Sequence, residues 1–412
     1  MADPQLCRFC NRPLNRIFLD LGETPLANSY LKAEALDRPE PSYLLMVRLC
    51  DDCLLVQAQP VVPADHIFSD YAYFSSFSSS WLKHAQAYSH DMIERLKLDG
   101  QSFVVEIASN DGYLLRNFVA AGIPCLGIEP AENVAEAARA QGVPTEAVFF
   151  GADTARRVVA ERGPADLMAA NNVLAHVPDL NDFVAGFKIL LAPTGTVTIE
   201  FPHVLQLIRH VQFDTIYHEH YSYFSLVTLN RVFAHHGLTL FDAQALPTHG
   251  GSLRIFVCHS DDPRAGLPTE RLLALRREES DAGLDTVDGY SGMADKVAQV
   301  VTELRQFLGD ARRDGKSVAA YGAAAKGNTL LNVAGIGSDQ ILFVADRSPH
   351  KQDHLLPGSH IPIVAPERIA EVKPDYLLVL PWNLIDEIRA DWKDIAAWGG
   401  RFVTAIPQLK VW

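Results

Sequence analysis

Phe103-Val104-Val105-Glu106-Ile107-Ala108-Ser109-Asn110-Asp111-Gly112 is the stretch on which the fold turns. A short run of strand formers enters a turn of small and polar residues, and residues 113–121 continue with helical character. A second strand is expected over 125–128, ending at Glu129, with a helix over 131–141 behind it. Three more strands are expected near 146–149, over 166–170 running into Asn171 and Asn172, and over 196–200. Strand–helix alternation at this spacing predicts a doubly wound parallel sheet, an α/β fold. Ligands of such sheets bind outside the carboxyl ends of the strands. The turn offers backbone N–H groups at a helix start. Glu129, 17 residues past Gly112, stands where an acid can bond ribose hydroxyls. The dinucleotide fingerprint G-x-G-x-x-G is absent. Methyltransferases for S-adenosylmethionine use a looser glycine pattern after an acidic residue, and here Ala108 and Asn110 stand at two positions where that pattern prefers glycine. Taken alone, the turn reads equally well as an ordinary βα turn. Asn171, Asn172 and His176 fall at the same sheet edge.

Upstream lies a different chemistry. Four of the six cysteines are Cys7, Cys10, Cys50 and Cys53, two Cys-x-x-Cys pairs separated by 39 residues. Two such turns can close a tetrahedron of thiolates around zinc. Four thiolates leave no open coordination position, so the expected metal is structural. The polar opening MADPQLCRFC lacks the apolar core of a secretion signal, which argues against disulfides. Cys125 and Cys258 sit in apolar runs and read as core residues. Residues 1–68 are expected to form the zinc module, 69–260 the first α/β domain and 261–412 a second, Rossmann-like one, with 261–290 as a linker with some helix. Strands are expected there over 317–321, 341–345 and 376–380. Between the first two domains, DYAYFSSFSSSW at 70–81 is either a plain loop or the lining of a polar pocket.

The densest cluster of functional side chains is Asp214-Thr215-Ile216-Tyr217-His218-Glu219-His220-Tyr221, after the fifth strand. Such a set supplies a base, a carboxylate and a phenol donor, enough to remove a proton alpha to a carbonyl and hold the enolate. The spacing of a helical zinc-protease motif is missing. His249-Gly250-Gly251-Ser252-Leu253-Arg254 reads as a hairpin turn or a place of close backbone approach. Tyr321-Gly322-Ala323-Ala324-Ala325-Lys326-Gly327-Asn328-Thr329 resembles a P-loop, but Asn328 stands where lysine is required, which argues against nucleotide hydrolysis. Lys326 at a helix start still suits a diphosphate. Lys351 and Gln352, and Trp382 and Asn383, follow other strands of the same domain.

Net charge is −14, from 36 basic and 50 acidic residues, which excludes phosphate-backbone binding as a main task. No apolar stretch is long enough to span a bilayer. A cytoplasmic enzyme is expected, with no nucleic-acid or membrane partner. The surface pattern assigns no interface between copies, so the oligomeric state stays open, a monomer included.

Taken together, these motifs resemble the deoxysugar C-3 methyltransferases of antibiotic and cell-surface sugar pathways, of the mycarose and tetronitrose type. The resemblance runs through all three regions: the paired Cys-x-x-Cys, Glu106 to Gly112, Tyr217 to Tyr221, His249 to Arg254 and Tyr321 to Asn328. It implies S-adenosylmethionine as cofactor and a thymidine-diphosphate 4-keto sugar as substrate. It implies His220 as base, with Tyr217, Glu219, Tyr71 and His176 beside it. The cofactor would contact Glu106, Ala108, Ser109, Asn110, Gly112, Glu129, Asn171 and Asn172. The nucleotide sugar would meet Tyr321, Lys326, Asn328, Lys351, Gln352, Trp382 and Asn383. Two other readings stand beside it: an epimerase or O-methyltransferase on the same scaffold, and a nucleotide-sugar-binding protein without catalysis.

Overall fold

The computed structural model describes residues 6–63 and 74–412. Three sheets carry the chain. The first holds β1 (Arg16–Thr24), β2 (Tyr43–Leu49) and β3 (Val56–Ala58), all antiparallel. In β2, Leu45, Val47 and Leu49 alternate inward, the period of a half-buried strand.

The second sheet begins with β4 (Val104–Ile107), β5 (Cys125–Ile128), β6 (Thr145–Glu146), β7 (Ala165–Asn171) and β8 (Leu191–Pro202). After β8 the chain gives β9 (Ser222–Tyr223) to the first sheet, where Tyr223 pairs with Val56 and Ser222 with Gln57. It then returns as β10 (Leu238–Leu246) and β11 (Ser252–His259). The order is β10-β11-β8-β7-β4-β5-β6, parallel from β8 to β6 and antiparallel at β10 and β11. Every residue of β4 and β5 is buried, as strands covered on both faces must be. The chain winds outward from β4 through β5 to β6, then crosses back to β7 on the other side of β4. The β4/β7 boundary is therefore the switch point where such sheets bind ligands.

The third sheet holds β12 (Val318–Tyr321), β13 (Val344–Ala345), β14 (Ile363–Val364), β15 (Tyr376–Val379), β16 (Arg401–Thr404) and β17 (Lys410–Val411), ordered β14-β13-β12-β15-β16-β17. It winds the same way, with its switch point between β12 and β15. Strands are shorter than expected at β6 and β13 and longer at β8. Within residues 261–290 a helix forms over Glu270–Asp281, and Glu279 from it, fully buried, accepts from the backbone N–H groups of Leu226 and Val227. No helix among the described residues is long and apolar enough to cross a membrane.

Candidate active site

The four sulfurs gather first. The Sγ atoms of Cys7, Cys10, Cys50 and Cys53 all lie within 4.8 Å of one another, with Cys7–Cys53 and Cys10–Cys50 at 3.5 Å. Zinc with bonds of about 2.3 Å requires tetrahedral edges of about 3.8 Å, so the set fits the metal. Both turns are built alike. The Cys7 carbonyl accepts from Asn11 and the Cys50 carbonyl from Leu54, and Asn11 and Leu54 both take a left-handed backbone. Gln57 in β3 donates to Cys7 Sγ at 3.2 Å, so the metal site and the strand that pairs with β9 are one structure.

At the β4/β7 switch point the turn after β4 is tight. Ala108 and Asn110 have φ of 55° and 50°, and Gly112 has φ of 79°. A Cβ on Gly112 would come within 2.9 Å of Val143, so this glycine is demanded by both backbone and space. Glu129 fastens the turn: its carboxylate accepts from Asn110 N at 2.9 Å and from Ala131 N at 3.0 Å. The serine-rich segment reaches the same place, Ser75 N donating to Asn110 Oδ1 at 2.8 Å and Ser76 N to Asp111 Oδ2 at 3.1 Å. Burial pushes Glu106 well above, and Glu129 above, the ordinary carboxylate value. Ser109 Oγ, Asp111 Oδ1, Asn171 Oδ1 and Asn172 Oδ1 are buried with no hydrogen-bond partner among the described residues. A strand edge collecting acceptors in this way fits a ligand rich in donors, as the ammonium, ribose and adenine amine of S-adenosylmethionine are.

Tyr217, Glu219 and His220 lie on the segment between β8 and β9, and His176 comes from the turn after β7. From Val211 to His220 every residue is buried except Tyr217 and His220, which are half-buried. His220 Nδ1 bonds the Thr215 carbonyl at 2.8 Å. A carbonyl only accepts, so Nδ1 carries the proton and Nε2 keeps its lone pair. Tyr217 OH sits 2.7 Å from that lone pair. Burial, and then the neighbouring His176, hold His220 well below the ordinary imidazole value. The His176 ring is 4.6 Å from that of His220, edge to face, and burial lowers His176 to about 4. Glu219 points the other way, accepting from Asn28 Nδ2 at 2.7 Å, and burial raises it to about 7. Tyr71 lies outside the described residues.

Three units clamp this segment. Downstream it becomes β9 of the first sheet. Upstream, Thr329 Oγ1 of the third unit donates to the Ile216 carbonyl at 3.0 Å. Asn328 is buried, and its Nδ2 donates to the Ala27 carbonyl, tying the first and third units, while its Oδ1 has no partner among the described residues. Tyr321 packs beside Trp392, also turned inward. Lys326 Nζ reaches the His249 carbonyl at 3.4 Å and Asn383 Oδ1 at 3.3 Å, over the Trp382 ring. Lys351 Nζ donates to the Ala323 carbonyl at 2.8 Å and lies over Tyr30. Gln352 Nε2 donates to the Asp346 carbonyl at 2.9 Å. Burial lowers both lysines.

Sequence reasoning assigned no role to Asn28, to Glu200 or to Asp214, the last quoted only as the start of the Asp214–Tyr221 cluster. Glu200 ends the inner part of β8, and burial would raise it, but His84 at 2.8 Å and Arg254 at 2.7 Å hold it low. Arg254 closes the His249–Arg254 motif, so an acid at a strand end paired with that arginine was the available signal. Asn28 had none: its partner lies 191 residues away.

Comparison with known proteins places the chain. Family models match as a zinc binding domain over residues 7–68, a methyltransferase domain over 81–243 and a C-methyltransferase C-terminal domain over 247–407. The C-methyltransferase NovU of Streptomyces niveus is 35% identical over 405 residues, spanning 98% of this chain and 96% of the relative. Among solved structures, a SAM-dependent methyltransferase from Anabaena variabilis is 13% identical with a TM-score of 0.35, covering 42% of this chain and 84% of its own. One from Clostridium acetobutylicum is 11% identical with a TM-score of 0.35, covering 43% and 92%. Likenesses this slight say nothing about substrate.

Proposed function

This chain belongs to the C-methyltransferase family, and on that premise we propose that it methylates C-3 of a thymidine-diphosphate 4-keto deoxysugar, with His220 as base. The state of the imidazole carries the reading: His220 is neutral, its Nδ1–H is spent on Thr215, and its Nε2 lone pair meets Tyr217 where the segment opens.

The C-4 ketone acidifies the C-3 hydrogen. His220 Nε2 takes that proton, and the C–H electron pair passes into the enolate. The Tyr217 hydrogen bond then inverts: Nε2–H donates to the phenol oxygen, which frees the phenol O–H for the enolate oxygen. Glu106 to Gly112, Glu129, Asn171 and Asn172 would hold S-adenosylmethionine, which when bound would provide a sulfonium methyl for the C-3 carbon, the C–S bond breaking as S-adenosylhomocysteine leaves. Lys326 and Lys351, with Gln352, Trp382 and Asn383 nearby, would hold the nucleotide diphosphate: each ammonium has carbonyl or amide oxygen partners and donors to spare for an anion. Six cysteines, none in a disulfide, suit a reducing cytoplasm.

The test is incubation with S-adenosylmethionine and a thymidine-diphosphate 4-keto-2,6-dideoxy sugar, followed by mass spectrometry and NMR. The expected product gains one methylene, mapped to C-3. His220→Asn is expected to lower the rate about 10²–10⁴-fold and to stop deuterium exchange at C-3. Because His220 titrates low, the acid limb of kcat/KM is expected below the ordinary imidazole value. Retained exchange in the variant removes His220 from the base role, and a methyl group on oxygen replaces the C-3 assignment.

A further inference from the structure

We propose that Asp214 is a positioning residue: through Trp382 it locks the segment carrying His220 to the strand ends of the third unit. The inference rests on His220 as the base.

Asp214 is fully buried at the middle of the turn Phe213–Thr215, and the next residue, Thr215, orients His220. Its Oδ2 accepts from Trp382 Nε1 at 2.7 Å, across 168 residues of chain. Trp382 follows β15, so the bond joins the catalytic segment to the third sheet. Its indole is seated on Gly250, which has φ of 87°, and a Cβ there would overlap the ring. Gln212 Nε2 donates to the Gly250 carbonyl at 2.7 Å, and Thr215 Oγ1 donates to the Gln212 carbonyl at 2.7 Å. The His249–Gly251 loop, left open by sequence reasoning, thereby gains a task. It lets an indole reach a buried carboxylate and ties that contact back to Thr215.

Two consequences follow. The Thr215 carbonyl, which fixes the imidazole's tautomer, is held by neighbours on each side, Asp214 to Trp382 and Ile216 to Thr329. Lys326 Nζ lies 5.1 Å over the same indole, so an anion drawn to Lys326 bears on the contact that sets His220. Misplacement of a base by about 1 Å costs about 10²-fold in rate.

The test uses the full-length enzyme in three variants. Trp382→Phe keeps a ring and removes the donor. Gly250→Ala displaces the indole without touching Asp214. Asp214→Asn keeps an oxygen to accept from the indole. Readouts are kcat and KM at saturating cofactor, and the ¹⁵N resonances of His220 without substrate. Trp382→Phe and Gly250→Ala are expected to lower kcat about tenfold or more, leave cofactor Kd unchanged and move the His220 resonances. Asp214→Asn keeps an acceptor for the indole but removes the charge opposite Lys326, so the His220 resonances are expected to move less than in Trp382→Phe while sugar KM changes. If Trp382→Phe leaves both kcat and the His220 resonances in place, or if all three variants lose kcat while those resonances stay, Asp214 does not position the base. The resonances decide this without turnover. A wild-type enzyme that fails to methylate the sugar sinks the proposed substrate and leaves the coupling result standing.

Discussion

Two crevices of this molecule share one plan and differ in charge. Each lies at the switch point of a doubly wound sheet, where a strand enters a tight turn and a helix. Outside β4 and β7 the crevice is lined by Glu106, Asp111 and Glu129, two of them raised by burial, with further buried acceptors that lack partners among the described residues. Outside β12 and β15 it is flanked by Lys326 and Lys351, both lowered by burial. The carboxylate beside them, Asp346, is satisfied by the backbone N–H groups of Ala323 and Ser348. Asp214 opposes the loss of charge at Lys326, and Asp346 does so at Lys351; burial still costs both ammonium groups, and a ligand of opposite sign would add to the compensation. On the proposed function, the same backbone device would sort a cationic methyl donor from an anionic diphosphate, and His220 stands on a segment that touches both the second and the third unit.

The largest expected effect breaks this sorting by crossing the two crevices. Glu129→Ala removes two charge-assisted bonds to the turn and is expected to weaken S-adenosylmethionine about 10–100-fold, with little change in KM for the nucleotide sugar. Lys351→Met is expected to do the reverse, raising sugar KM about tenfold and leaving cofactor Kd alone. Calorimetry for the cofactor and initial rates for the sugar check both. Parallel losses in either variant would mean that the crevices are not electrostatically separate.

Much of this division was legible, and the reasons are physical. Parallel strands buried on both faces read as continuous apolar runs, which is why β4, β5 and β7 stood out. Two Cys-x-x-Cys pairs whose four sulfurs gather within 4.8 Å suit a metal. The first sheet was not legible as strands: β1 carries two register irregularities within nine residues, which break the alternation that marks a strand. β9 has two residues and exists because β3 is there to pair with it. Asp214 looked like one polar residue in a polar run, since its meaning comes from an indole far along the chain. Tyr321 and Asn328 belong to a motif that suggests phosphate, yet their side chains serve packing and the tie to Ala27. Motif membership fixes where a backbone turn lies, and leaves open which of its side chains face the ligand.

The comparison sharpens at the glycines. Gly322, with φ of 91°, ends β12, and a Cβ there would stand 2.5 Å from Pro381 Cδ. Gly322→Ala combines a left-handed backbone with a clash against a stiff ring. A loss of about 2–4 kcal/mol in stability is expected, read as a lower denaturant midpoint. A midpoint unchanged from wild type would show that β12 and β15 separate more easily than their parallel pairing suggests.

The smallest effect has the opposite sign. Ala108 occupies the corresponding turn after β4 with φ of 55°, a conformation costing an L-residue about 1–2 kcal/mol. Ala108→Gly removes that cost. Against it stand the greater entropy of glycine in the unfolded chain, about 0.5–1 kcal/mol, and the loss of one half-buried methyl, under about 0.8 kcal/mol. The balance runs from a loss of about 0.8 to a gain of about 1.5 kcal/mol, centred on a small gain, with the Ala108 N–H still donating to the Ile128 carbonyl. Cofactor affinity is expected to hold, because Glu129 fastens the turn through Asn110 and Ala131, neither of which is altered. A stability loss above about 1 kcal/mol would mean that the methyl group packs for more than the backbone strain it imposes. The alanine would then be retained for contact, and the two turns would differ in packing as well as in charge.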